Sequence, residues 1–119
     1  MRVPGRLAAG LAALLAAACA RETDAGVERL ARGRLVRDLS TAEAAEAACR
    51  VERSTRGDGP RCEAAREAAA EARRSGDGYE EACRRCAPPD RCAAERRRLE
   101  SRWQDEDPVR GGRPGSACP

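Results

Sequence analysis

Seven cysteines carry the reactive chemistry of this chain: Cys19, Cys49, Cys62, Cys83, Cys86, Cys92 and Cys118. Thiols can pair as disulfides, work as redox centres or hold a metal, and their setting discriminates among the three. Cys83-Arg84-Arg85-Cys86 is a C-x-x-C. A redox C-x-x-C works at a helix N-terminus, where the dipole lowers the thiol pKa. Here the motif falls late in a short predicted helix with no strand before it. Four of Cys62, Cys83, Cys86, Cys92 and Cys118 could form an all-thiolate zinc site. Against that, the chain has no His, and cysteines outside the cytosol oxidise. The carboxylates are scattered among arginines and form no dyad. No phosphate loop, nucleophile elbow or haem motif is present. The reading assigns no catalytic residue, no metal and no cofactor. It assigns a disulfide framework.

The compartment that such a framework needs is written at the N-terminus. Arg2 and Arg6 precede twelve uncharged residues, Leu7 to Ala18. As a helix those residues reach ~18 Å, short of a ~30 Å hydrocarbon core, so a cleaved export signal fits better than a membrane span. Ala16-Ala17-Ala18-Cys19 resembles the lipobox of bacterial lipoproteins, with Ala16 where Leu is usual. That resemblance implies a diacylglyceryl group on the Cys19 sulfur and a mature chain beginning at Cys19. It places the protein in the bacterial cell envelope, at the outer membrane or in the periplasm, held by a lipid anchor. The alternative is free secretion, because Ala18-Cys19-Ala20 also offers an A-x-A cleavage site before Arg21. Either route removes Cys19 from the thiol pool and leaves six cysteines, enough for three disulfides.

Composition agrees with a need for staples. The 23 basic residues are all Arg, against 20 acidic ones. Arg2 and Arg6 leave with the signal, so 21 face 20 and the mature chain is close to neutral. A nucleic-acid partner, which needs a concentrated positive surface, is not expected. Arg and Glu alternate in the manner of solvated helix faces. The mature part has no Phe, Ile or Met, and much of its apolar content is Ala, which favours helix but buries little area. At ~25 cal/mol per Å² of apolar surface, such a core does not easily offset the entropy of ordering about 100 residues.

The elements that must position the cysteines read as all-α: about four to five short helices forming disulfide-stapled hairpins. Residues 1–18 are the signal, 19–26 a flexible tether, 27–104 the helical domain and 105–119 an irregular, disordered tail. Apolar residues at 27, 30, 31, 35 and 39 have a helical period. Ser40-Thr41-Ala42-Glu43 reads as a capping box that opens a second helix, running to about Arg53. Ser54 to Gly59 is a break. It contains Arg56-Gly57-Asp58, a tripeptide some cell-surface receptors read, and the reading here is a turn. Pro60 suits the first turn of the next helix, which carries Cys62, Ala65, Ala69 and Ala72 to about Arg74. Ser75-Gly76-Asp77-Gly78 reads as another break. Tyr79, Ala82, Cys83 and Cys86 share a face of a short helix that Pro88-Pro89 ends. A last helix runs to about Gln104 with Cys92, Leu99 and Trp103 along one side, and Trp103 is the expected packing anchor. Cys118 is most simply explained as tying the tail back to the domain.

Ala48-Cys49-Arg50 and Ala82-Cys83-Arg84 repeat at an offset of 34, and Arg61-Cys62 and Arg91-Cys92 correspond at 30. The first offset is the tetratricopeptide period. The two-cysteine pattern resembles the Sel1-like repeats of secreted cysteine-rich bacterial proteins. That resemblance implies the pairs Cys49–Cys62 and Cys83–Cys92, leaving Cys86 for Cys118. The expected function is a membrane-tethered protein with a protein-interaction or envelope-scaffold role and an unknown protein partner. The alternatives are a freely secreted disulfide-stapled binding protein and a small all-cysteine metal-binding protein.

Overall fold

The computed structural model describes residues 4–106, with side chains from residue 23 onward. Helix α1 spans Pro4–Arg56, α2 spans Pro60–Cys83 and α3 spans Pro89–Arg102; a single 3-10 turn, Trp103–Asp105, follows. The fold is all-helical as expected, but it has three helices where four to five are predicted. Two predicted breaks are absent, and each has a local reason.

The first is the capping box at Ser40. Residues 40–43 lie inside α1. The Thr41 hydroxyl donates to the Arg37 carbonyl at 3.0 Å, so it bonds back onto its own helix rather than opening a new one. No proline interrupts the chain between Pro4 and Pro60, and Ala-rich flanks favour continuation. The same helix runs through residues 19–26, which the sequence assigns to a tether.

The second is Ser75-Gly76-Asp77-Gly78, which lies inside α2. The Ser75 hydroxyl donates to the Asp38 carboxylate on α1. Gly76 is small because the Arg96 guanidinium of α3 lies against it; a Cβ there would stand 2.5 Å from Arg96 Cζ. The glycine serves a close approach, not a chain break.

The break between α1 and α2 is where it is expected. Gly57 has φ +77, a left-handed conformation that glycine adopts without steric penalty. Gly59 supplies no side-chain cap for α2. Instead the Glu52 carboxylate, from α1, accepts the backbone N–H groups of Arg61 at 3.1 Å and Cys62 at 3.3 Å. It satisfies N–H groups that the helix itself leaves unpaired. Helix α2 ends at Cys83, so Cys86 falls in the following turn and not on the helix face predicted for it. Pro88 is extended and Pro89 takes the first position of α3.

The three-residue turn makes α1 and α2 antiparallel neighbours, and α3 folds back over α2. The main core is Leu35, Val36, Tyr79, Cys83, Cys92 and Leu99, with Ala31, Leu39, Ala87 and Trp103 at its edge. A second, smaller cluster near the turn is Cys49, Cys62 and Ala65, flanked by Ala45. The anchor of the fold is therefore Tyr79, fully buried, and not Trp103, which is only partly covered. Trp103 sits beyond the end of α3, on the 3-10 turn, where only part of its ring can reach the core.

Candidate functional site

Cys49 and Cys62 are joined across the α1–α2 turn, with Cα atoms 4.4 Å apart. Cys83 and Cys92 are joined across the α2–α3 connection, with Cα atoms 5.7 Å apart. These are the two pairs that the repeat resemblance implies. Cys86 is also disulfide-bonded. Cys118, the partner left for it by the sequence reading, lies outside the described residues, as does the Cys19 side chain. The C-x-x-C is thus not a vicinal redox pair: Cys83 is bonded to Cys92, and it ends a helix rather than beginning one. A helix C-terminus disfavours a thiolate. Among the described residues no group of three or more His, Cys, Asp or Glu side chains could hold a metal ion. No helix among the described residues is long and apolar enough to cross a membrane.

Beside the Cys83–Cys92 bond lies a polar network that the sequence reading missed. Glu28 is 0 % exposed and Arg32 is 2 % exposed. The Arg32 guanidinium donates to Glu28 Oε1 at 2.9 and 3.2 Å, to Glu95 Oε1 at 3.0 Å and to the Tyr79 hydroxyl at 3.4 Å. The Tyr79 hydroxyl donates to Glu28 Oε1 at 3.2 Å. Arg98 then grips Glu95 at 2.6 Å and Glu106 at 2.9 Å. One guanidinium thus ties α1 to α2 and α3. Burial works against the Arg32 charge, but Glu28, Tyr79 and Glu95 outweigh it and hold its pKa above the ordinary value. Burial also works against the Glu95 charge, but Arg98 and Arg32 outweigh it and hold its pKa below the ordinary value. Burial, the largest cause, raises the Tyr79 pKa, so the phenol stays neutral and can donate. Among the described residues no buried side-chain nitrogen or oxygen lacks a partner. The network is therefore fully hydrogen-bonded within the fold.

Open clefts lie among the described residues, two of them of several hundred Å³. One, of about 480 Å³, runs between α1 and α2 and is lined by Val27, Leu30, Arg34, Arg74, Gly78 and Arg85 among others. Leu30 is 76 % exposed, and a Cβ on Gly78 would meet nothing within 4 Å. The other, of about 340 Å³, lies between α1 and the 3-10 turn, with Trp103, Arg37, Ser40 and Gln104 in its walls. At the far tip, Asp58 of the Arg56-Gly57-Asp58 turn is bound to Arg53 at 2.8 Å and approached by Arg66 at 3.8 Å. The Arg53 hydrogen bond holds the Asp58 pKa below the ordinary value. The tripeptide's carboxylate is thus engaged within the protein. No protein family, curated protein or solved structure matches the chain.

Proposed function

We propose that this chain is an exported, disulfide-stapled helical protein of the bacterial cell envelope. It is tethered through a lipid on Cys19 and has a protein-interaction or scaffolding role rather than a catalytic one. The observation that carries the reading is the state of the cysteines. Cys49, Cys62, Cys83, Cys86 and Cys92 are all in disulfides, which persist in oxidising compartments outside the cytosol. The same observation disfavours the all-cysteine metal site, because metal ligation needs free thiolates. The interaction role is supported by the cleft between α1 and α2, where Leu30 stands exposed beside arginines.

Fractionation with intact-mass analysis tests the tether. The expected result is a membrane-bound chain beginning at a diacylated Cys19, with no thiol titratable until reductant is added. A soluble product beginning at Arg21 contradicts the anchor and supports free secretion. Thiols unmasked by a chelator alone would overturn the disulfide reading in favour of metal.

A further inference from the structure

We propose that the cleft between α1 and the 3-10 turn is a binding site for an acidic saccharide, a sugar unit bearing a carboxylate. Trp103 is the only tryptophan of the chain, and Tyr79 has taken the place in the core expected for it. Part of the indole is left facing a cleft of about 340 Å³, a size within the range of small-ligand sites. On the α1 side stand Arg37, Ser40 and Thr41, one helical turn apart; Gln104 stands on the other side. Thr41 donates to the Arg37 carbonyl. The side chains of Arg37, Ser40 and Gln104 have no hydrogen-bond or ion-pair partner among the described residues. All three are exposed, so a guanidinium, a hydroxyl and an amide line the same cleft as the indole with only solvent to displace.

Charge selects the ligand's sign. Glu106 also borders the cleft, but Arg98 holds its carboxylate at 2.9 Å and Arg32 lies 4.0 Å away. Its charge is answered inside the protein, and Arg37 is left as the uncompensated charge of the cleft. A carboxylate suits it, because a guanidinium can grip one through two parallel hydrogen bonds. The indole offers a flat, electron-rich face that favours C–H groups with partial positive charge. A pyranose ring has such a face, and its edge hydroxyls can reach Ser40 and Gln104. An extended peptide fits less well, since the described residues include no strand edge for it to pair with. A nucleotide fits less well because its several phosphate charges would meet one guanidinium. The choice of a glycan deepens the envelope reading above, though the cleft's chemistry does not depend on the anchor.

The test is a fluorescence titration of the oxidised mature chain, in detergent if lipidated, because Trp103 is both reporter and wall. A hexuronate oligosaccharide should shift the emission saturably, and its carboxyl-reduced counterpart should bind about tenfold more weakly or worse. Arg37→Gln should erase that difference between the two sugars. Arg34→Gln, in the other cleft, should leave it intact. Trp103→Phe, followed by calorimetry, should weaken both sugars while the disulfides still form. No saturable response to the hexuronate, or an unchanged preference in Arg37→Gln, overturns the proposal. So does tighter binding of a nucleotide or an acidic peptide. Because the readout is made in solution, it can fail while the anchor on Cys19 stands, and the reverse.

Discussion

The two ends of the described domain are closed in different ways. At the tip, where α1 turns into α2, the buried cluster is only Cys49, Cys62 and Ala65. At the other end, Leu35, Val36, Tyr79 and Leu99 surround Cys83–Cys92, and the Arg32 network crosses all three helices. Each end has one disulfide between described residues. At the tip it accounts for most of what is buried; at the base it is one contribution among several. A chain poor in large apolar residues thus closes a small bundle by a covalent route at one end. At the other it combines a modest core with a satisfied buried ion network.

The largest effect should come from the base. Arg32→Ala would remove the guanidinium that buried Glu28 and Glu95 share, at a cost of about 3–5 kcal/mol in urea unfolding. Replacing Glu28 and Arg32 together by Leu should cost less, because the buried carboxylate leaves with its guanidinium and the main loss is then the partners of the Tyr79 hydroxyl. A double substitution as damaging as the single one would break that account. Next comes the tip. Cys49→Ser with Cys62→Ser should cost about 3 kcal/mol by releasing a loop of that size in the unfolded chain. Hydrogen exchange should then accelerate first around residues 45–66, while amides near Tyr79 keep their protection. Uniform loss would erase the distinction between the ends.

Acid should act more on the base than on the tip, where the depressed Asp58 and its partner Arg53 are exposed and screened by solvent. Glu95 has a folded pKa below its ordinary value of 4.5, held down by Arg98 and Arg32 against burial. A depressed carboxylate contributes stability that is complete above the ordinary value and is lost as pH falls through the folded value. The protein should therefore lose stability below pH 4.5, and Glu95→Gln should lose less over the same interval. Parallel profiles would contradict the assignment. The smallest effects separate two glycines of α2. Gly78→Ala should stabilise by about 0.5–1 kcal/mol, since its Cβ would point into open space. Gly76→Ala should gain less or destabilise, since Arg96 would have to leave its bonds with Asp77 at 2.7 Å and Glu100 at 2.7 Å. Equal gains at both positions would show that the Arg96 approach is unimportant.

Much of the fold was legible because it is local. Helical periodicity, the Gly57–Gly59 turn and the Pro88-Pro89 stop all act within a few residues. The misreadings came from residues whose roles are settled across helices. Ser75 and Gly76 look like a break until Asp38 and Arg96 are seen against them. Trp103 looks like the anchor by size, yet its place past the end of α3 leaves Tyr79 better positioned to fill the core. Glu28 and Arg32 fall among the alternating Arg and Glu residues that read as solvated helix faces. The available signal was their spacing to Leu35 and Leu39, which puts all four on one helix face. Their burial depends on Glu95, more than sixty residues away.

The most direct measurement of the central claim is the intact mass of the protein from its native membrane fraction, before and after reduction. The account predicts a chain that begins at a lipid-bearing Cys19. It should gain six hydrogens on reduction, one for each remaining cysteine. No gain on reduction would contradict it, because a core this small would then have to hold without its staples.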